Sequence, residues 1–317
     1  VIDGNQAPFF KTLQNHAVFR PQERANKPVT EFPGIWTAFL IKIDGRIGVF
    51  NIGHHIMCDA LNVANLYQKI ANELDGRLDA DESYAVYLNA NEKYLQSRQY
   101  IKDHQYWEPI LAQQAPLAFD GRPIGECENI TIDLPPMETV CREFDLSEAT
   151  VMYAATGLLL MRLQNLEALS LGIPVLGRTT QQEMGALGLF MRDVPMIMRG
   201  GEKSFLDFAH EVENGLIDLF RHRRYDLPQK ILFDVSVDYS EYPKTEDYTA
   251  DVIFNNYVST AMEFHFLRNE QLKLTIRAQK GLFRNLHSVA NAFARLLQEI
   301  RNDPKQSIWT LAIADLP

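Results

Sequence analysis

The sequence predicts a mixed α/β (α+β) protein of two lobes, and three observations carry that expectation. At 317 residues the chain is longer than one small core requires, so it forms one large domain or, as expected here, two lobes of ordinary size. Hydrophobic residues make up 46% and charged residues 23%, which is ordinary globular usage and supports a sizeable core. Strand-like and helix-like periodicities alternate irregularly, without a regular βαβ repeat. The expected organisation is an N-terminal lobe over residues 1–116, a linker over 117–129 and a C-terminal lobe over 130–317.

Taken in order, residues 1–34 show scattered Pro, Asn and Gln without a sustained period and read as loop with short elements. Residues 36–43 and 46–52 are β-prone runs on either side of Asp44-Gly45, the two-residue signature of a hairpin. Val63, Leu66, Tyr67, Ile70 and Leu74 recur three or four apart, predicting an amphipathic helix that stops before Gly76. A second helix is expected over 83–111, with Trp107 on its packed face. Residues 112–129, with two prolines and two glycines, contain the expected linker.

The second half opens with a strand at 130–134 and a helix capped by Ser147, with the apolar 151–163 run inside it. Residues 169–175 read as a strand whose Pro174 makes its end an edge or an exit. Further strands are expected at 194–198, 232–238, 251–254, 262–266 and 272–278, and helices at 204–220 and 286–301. There is no internal repeat and no low-complexity tract.

Charge narrows the function. With 31 Lys+Arg against 41 Asp+Glu and a formal charge of −10, the chain has no footprint for a nucleic-acid backbone, and an anionic membrane would repel it. Cys58, Cys127 and Cys141 are too few and too scattered for a disulfide framework, so a reducing cytoplasm is the expected setting. No apolar run of about eighteen residues and no leader is present, so neither a spanning helix nor a signal peptide is expected. The chain begins at Val1 and not Met, so it is expected to be an excised or trimmed piece of a longer polypeptide.

The most informative stretch is Asn51-Ile52-Gly53-His54-His55-Ile56-Met57-Cys58-Asp59-Ala60. A strand ends at the histidines and a helix begins near Asp59, so a histidine at the rigid strand tip can be presented to a cleft. Imidazole titrates near neutrality, which suits it to taking a proton from an amine or hydroxyl nucleophile. Asp59, four residues on, is expected to brace the loop. From the residues alone, the histidines could equally be ordinary strand positions, one buried and one exposed. His-His-x-x-x-Asp also offers zinc ligands, but adjacent strand residues point to opposite faces and no Cys/His cluster completes a shell; no metal is expected. Asp59 beside Cys58 would raise the thiol pKa, which argues against a cysteine nucleophile. No Gly-x-Ser-x-Gly elbow, phosphate-cradling loop or dinucleotide fingerprint competes.

His54-His55-Ile56-Met57-Cys58-Asp59-Ala60 resembles the HHxxxDG signature of the condensation domains of nonribosomal peptide synthetases, members of the chloramphenicol-acetyltransferase-like superfamily. Further segments follow in that family's order. Tyr84-Ala85-Val86-Tyr87-Leu88, leading to His104-Gln105-Tyr106-Trp107, resembles its helical region, and Gly172-Ile173-Pro174-Val175-Leu176-Gly177-Arg178-Thr179 its G-x-P-V-x-x-R segment. Leu187-Gly188-Leu189-Phe190-Met191-Arg192-Asp193-Val194-Pro195-Met196 resembles the GxFxNxxP strand; Tyr225-Asp226-Leu227-Pro228 and Phe233-Asp234-Val235-Ser236-Val237-Asp238-Tyr239 also fall in sequence.

The resemblance implies two chloramphenicol-acetyltransferase-like lobes in a V, with the active site in a tunnel between them. It implies amide formation between a carrier-bound acyl or peptidyl thioester and an amine acceptor, in secondary-metabolite biosynthesis. Donor and acceptor carrier domains, and an adjacent adenylation domain, are the implied partners. Phosphopantetheine would arrive on the carriers, with no cofactor bound by the domain itself. His55 is implied to face the reacting amine beside His54; Asp59 is implied to be structural and ion-paired with Arg178, with Gly53 and Ala60 flanking the motif. From the residues alone Arg178 could be a solvated position after a strand. Ala60 stands where the family usually has Gly, so the turn there must avoid positive φ or carry strain. Arg192-Asp193 stands where small or amide residues are usual. Two alternatives accompany this reading: an O- or N-acyltransferase using acyl-CoA or a carrier-bound chain with a free acceptor, and a degenerate domain that only docks carriers. A heterocyclising relative is disfavoured, because that branch replaces the His pair by aspartates.

Overall fold

The computed structural model describes residues 36–43, 46–53, 57, 59–74, 76–77, 84–113, 115–120, 124–228, 230–241 and 255–313. These fall into two compact units. One holds the described residues up to Ser97 together with 176–191 and 255–256; the other holds residues 98–175, the described part of 192–241, and residues 257–313. The expected linker, 117–129, lies among the residues of the second unit, and the strand expected at 251–254 lies outside the described residues.

In the first unit, β1 (Trp36–Ile43) and β2 (Arg46–Gly53) form an antiparallel pair running from Trp36↔Gly53 to Ile43↔Arg46, the register a two-residue turn imposes. Helix α1 spans Ala60–Leu74. It ends as the sequence predicts: Gly76 takes a left-handed φ of 73°, Arg77 N–H bonds Asn72 O at 2.8 Å and Gly76 N–H bonds Glu73 O at 3.0 Å. A residue with a Cβ would resist that backbone, and glycine does not.

The single helix expected over 83–111 is instead two, α2 (Tyr84–Leu95) and α3 (Arg98–Gln113). Ser97 explains the break, because both its N–H (2.9 Å) and its Oγ (2.7 Å) turn back to Tyr94 O. A serine side chain that bonds a local carbonyl offers the backbone an alternative to continuing the helix. Trp107 is fully buried in α3, as its position predicts.

The second unit is built on a seven-stranded mixed sheet. Its members are β3 (Gly125–Asp133), β4 (Ala168–Leu176), β5 (Met191–Arg199), β6 (Val235–Glu241), β7 (Tyr257–Val258), β8 (Met262–Arg268) and β9 (Leu272–Gln279), in the order β5-β4-β6-β8-β9-β3-β7. Strands β6 and β8 run parallel, whereas β8–β9, β9–β3 and β3–β7 are antiparallel. Residues 125–129 are therefore strand and not linker. Only Cys127 among them is buried, so their sequence carries no alternation to read.

Strand β4 is second in the sheet, not its edge; its one bridge to β6 is Gly172↔Ser236, ahead of Pro174, which has no N–H to offer a ladder. Gly172 is required there by space: the Phe233 ring lies where a Cβ would stand.

Alternate residues of β8 and β9 (Met262, Phe264 and Phe266; Leu272, Leu274, Ile276 and Ala278) are buried in one core with α5 (Glu148–Gln164) and α8 (Leu286–Asn302). Helix α5 is buried on all sides from Thr150 to Met161, and its Ser147 cap accepts Thr150 N–H as expected. Helix α7 (Phe205–Arg221), capped by Ser204, packs against α5 in the same core. The opposite register positions are polar: Ser236 and Asp238 on β6, Glu263 and His265 on β8, Thr275 and Arg277 on β9. Two short helices, α4 (Glu138–Phe144) and α6 (Gln181–Gly185), were not legible in the periodicity. The architecture is mixed α/β, as the alternation of periods predicts.

Candidate functional site

The site is built from three pieces of the first unit: the start of α1, the chain leaving β4, and residues 184–190. His54, His55 and Cys58 lie outside the described residues. What is described is the frame on either side of them. Gly53 ends β2 opposite Trp36, Met57 is exposed, and Asp59 stands immediately before α1.

Asp59 is the hub. It is 1% exposed, and its two oxygens accept three hydrogen bonds. Oδ1 takes Asn62 N–H (3.1 Å), the bond of an aspartate cap on the first turn, and Oδ2 takes Arg178 Nη1 (2.8 Å) and Phe190 N–H (3.0 Å). A carboxylate at a helix N-terminus is also favoured by the peptide dipoles. With its oxygens so engaged, Asp59 is neither a free base nor a free metal ligand.

Arg178 leaves β4 as a buried cation, its side chain as closed to solvent as that of Asp59. Besides Asp59, its Nη2 donates to Ala186 O (3.2 Å) and points toward Gly188 O (3.5 Å). Its guanidinium carbon lies 4.1 Å from the centre of the Phe190 ring, a contact that strengthens when desolvated. Phe190 in turn meets Tyr84 and Tyr87 of α2, with ring centres 5.4 and 4.6 Å away. Thus four segments singled out by the resemblance, those around Asp59, Tyr84, Arg178 and Phe190, converge at one place.

Ala60 needs no glycine. It is the first residue of α1 and is not among the described residues with positive φ. Glycine is needed at Gly188, where a Cβ would stand 2.8 Å from the Tyr84 ring and 3.0 Å from that of Phe190.

Sequence reasoning missed Asn62, Asn65 and Glu183. Asn62 is 1% exposed; its Nδ2 donates to Ala186 O (3.1 Å) and its Oδ1 accepts Gly188 N–H. Asn65 Nδ2 donates to Met184 O (2.9 Å). Glu183 is fully buried, accepts from Thr179 and Thr180, and completes a capping box with Thr180. The Thr180-x-x-Glu183 spacing was a readable signal for that turn. Two asparagines inside a helix, where the residue is a poor former, were the signal for the clasp.

In the second unit, Arg192 donates to Tyr225 O (3.2 Å) and ion-pairs with Asp226. The departure at Arg192 is therefore matched within the Tyr225-Asp226-Leu227-Pro228 segment. Asp103, buried in α3, bonds His222 Nδ1 at 2.7 Å, and the Tyr106 ring stacks on that imidazole at 4.2 Å. Burial pushes the Cys141 thiol up to about 11, with Glu148 and Glu138 adding to it, and burial also raises Cys127; neither is an activated nucleophile. Among the described residues, no group of three or more His, Cys, Asp or Glu is placed to hold a metal. No described helix is long and apolar enough to cross a membrane.

This mixed α/β fold is that of condensation domains of solved structure. The first condensation domain of the calcium-dependent antibiotic synthetase, in complex with a substrate analogue, superposes with a TM-score of 0.75 at 18% identity, over 96% of this chain and 76% of that one. The condensation domain of the Monacolin K polyketide synthase MokA gives 0.72 at 15%, over 86% and 74%. Residues 36–315 match the condensation domain family, and the chain belongs to it. Among curated relatives, surfactin synthase subunit 2 of Bacillus subtilis (strain 168) is 23% identical over 239 residues, 70% of this chain. Tyrocidine synthase 3 of Brevibacillus parabrevis is 22% identical over 328 residues, 89% of this chain. The chain spans 6% of the length of the first and 5% of the second. Condensation domains are acyl-transferring enzymes that form amide bonds, and the relatives are multidomain synthetases.

Proposed function

We propose that this chain is the peptide-bond-forming condensation domain of a nonribosomal peptide synthetase, joining a carrier-bound acyl or peptidyl thioester to an amine acceptor at His55. The observation that carries this reading is the buried Asp59–Arg178 pair at the start of α1, directly after the His54-His55 segment. Such a pair would give the stretch behind the histidines a fixed end, as a pre-placed imidazole requires.

In the proposed step the acceptor amine attacks the thioester carbonyl. The C–N bond forms, the C–S bond breaks, and the pantetheine thiolate leaves with the proton that the amine gives up through His55. Backbone N–H groups near the loop would meet the tetrahedral oxyanion. Holding both thioesters together removes much of the entropic barrier, so His55 contributes by orienting the amine as well as by accepting its proton. His54 and Asp59 complete the site: the carboxylate braces the loop through Arg178, and Gly53 and Ala60 frame it. Phosphopantetheine is delivered by donor and acceptor carrier domains, and an adenylation domain is the expected neighbour.

His55→Ala should sharply reduce product transfer between loaded carriers; unchanged turnover refutes the reading. Offering the same protein acyl-CoA donors and free amines or alcohols separates it from an acyltransferase of small acceptors. The degenerate carrier-docking alternative loses part of its motive, since Ala60 sits in helical backbone without strain.

A further inference from the structure

Backbone groups of residues 186, 188 and 190 alternate toward α1 and Arg178. Ala186 O accepts both Asn62 Nδ2 (3.1 Å) and Arg178 Nη2 (3.2 Å), Gly188 N–H donates to Asn62 Oδ1, and Phe190 N–H donates to Asp59 Oδ2 (3.0 Å). Side chains thus supply the ladder that a neighbouring strand would otherwise give. Asn62 is its central rung, since its carboxamide meets a carbonyl with its nitrogen and an N–H with its oxygen. Only one orientation of the amide satisfies both, so the contact fixes register as well as distance. Asn62 also gives Asp59 its third hydrogen bond, from its backbone N–H. One residue therefore touches both the carboxylate behind the histidines and the segment that covers the Arg178 cation.

We propose that Asn62 is a positioning residue for acyl transfer, its carboxamide clasping Ala186 and Gly188 so that Arg178 stays seated on Asp59 and the His55 loop keeps its transfer geometry. This rests on the reading of His55 as the transfer residue. Loss of the carboxamide leaves Ala186 O with one partner fewer and takes from the partly buried Gly188 N–H the acceptor it has in Asn62 Oδ1. The segment then relaxes, the Phe190 ring with it, and the fixed end of the loop is lost.

The test compares full-length protein carrying Asn62→Ala, Asn62→Asp, Ile300→Val or His55→Ala for transfer between loaded carriers, with melting followed in the same samples. Asn62→Ala should lower kcat by about 10- to 100-fold, the scale of a small misplacement of reacting groups, with KM for each carrier little changed. Ile300→Val removes a methylene from the buried face of α8; it should lower the melting temperature without that loss of kcat. Asn62→Asp supplies a pH readout. A protonated carboxyl has the donor and acceptor of the carboxamide, so the variant-to-wild-type ratio of kcat should rise as pH falls through the carboxyl range. A wild-type kcat in Asn62→Ala, an equal kcat loss in Ile300→Val, or a ratio flat with pH overturns the proposal. His55→Ala reports separately: transfer at the wild-type rate there removes the functional reading, whereas its failure beside a fully active Asn62→Ala removes only the positioning role.

Discussion

Asp59 and Arg178, 119 positions apart in sequence, meet at 2.8 Å with neither side chain open to solvent. A pair closed in this way is costly to break from one side, because the remaining charge stays buried without its counterion.

Arg178→Met should therefore destabilise the protein by about 3–5 kcal/mol, with Asp59→Asn comparable. The double variant should lose clearly less than the sum, since it strands no charge. Denaturant unfolding of the four proteins checks this, and additive losses would show that the two charges do not depend on each other. Arg178→Lys should not rescue, because an ammonium cannot reach Asp59 and Ala186 together while stacking on Phe190.

Gly172→Ala should cost about 1–3 kcal/mol, the usual range for overpacking, because the new methyl meets the Phe233 ring against β4. Phe233→Leu in the same chain should recover part of that loss by vacating the space. Thermal melts of the single and double variants read the coupling; a Gly172→Ala protein as stable as wild type would mean that the ring moves away freely.

The elements legible in the sequence are those whose signal is local. The β1–β2 pairing, the stop at Gly76, the Ser147 and Ser204 caps and the β8–β9 alternation need only a few neighbouring residues. The 84–95/98–113 break was missed because Ser97 acts through a hydrogen bond that hydrophobic spacing does not record. Sheet order was not readable either, since β4 joins β6 and β9 joins β3 across long separations. At the site, Asp59 and Arg178 were legible through motif order. Asn62 was not, because a polar residue in an amphipathic helix reads as solvent-facing until the 184–190 segment is laid beside it.

The polar face of the second unit's sheet holds two carboxylates of opposite behaviour. Desolvation would raise Glu263, but the hydrogen bond from His265, the charge of Arg277 2.6 Å away and the Ser259 N–H outweigh it and leave its pKa below the usual value. Asp238 is raised, by burial that the Ser240 hydroxyl and His265 only partly offset. For Glu263, the folded state holds its proton less tightly than the unfolded chain. Its stabilising contribution is present above the unfolded glutamate range and lost as pH falls through its depressed folded pKa. For Asp238 the sign reverses: its contribution is fully present below the unfolded aspartate range and lost as pH rises through its raised folded pKa. Glu263→Gln should therefore lower the melting temperature at neutral pH, with the deficit shrinking in acid. Asp238→Asn, whose carboxamide oxygen can still accept from Ser240, should raise the melting temperature at neutral pH, with the gain shrinking in acid. Melting curves of both variants and wild type from neutral to acidic pH decide the matter, and differences of the same sign for the two variants at neutral pH would overturn the assignment of opposed roles.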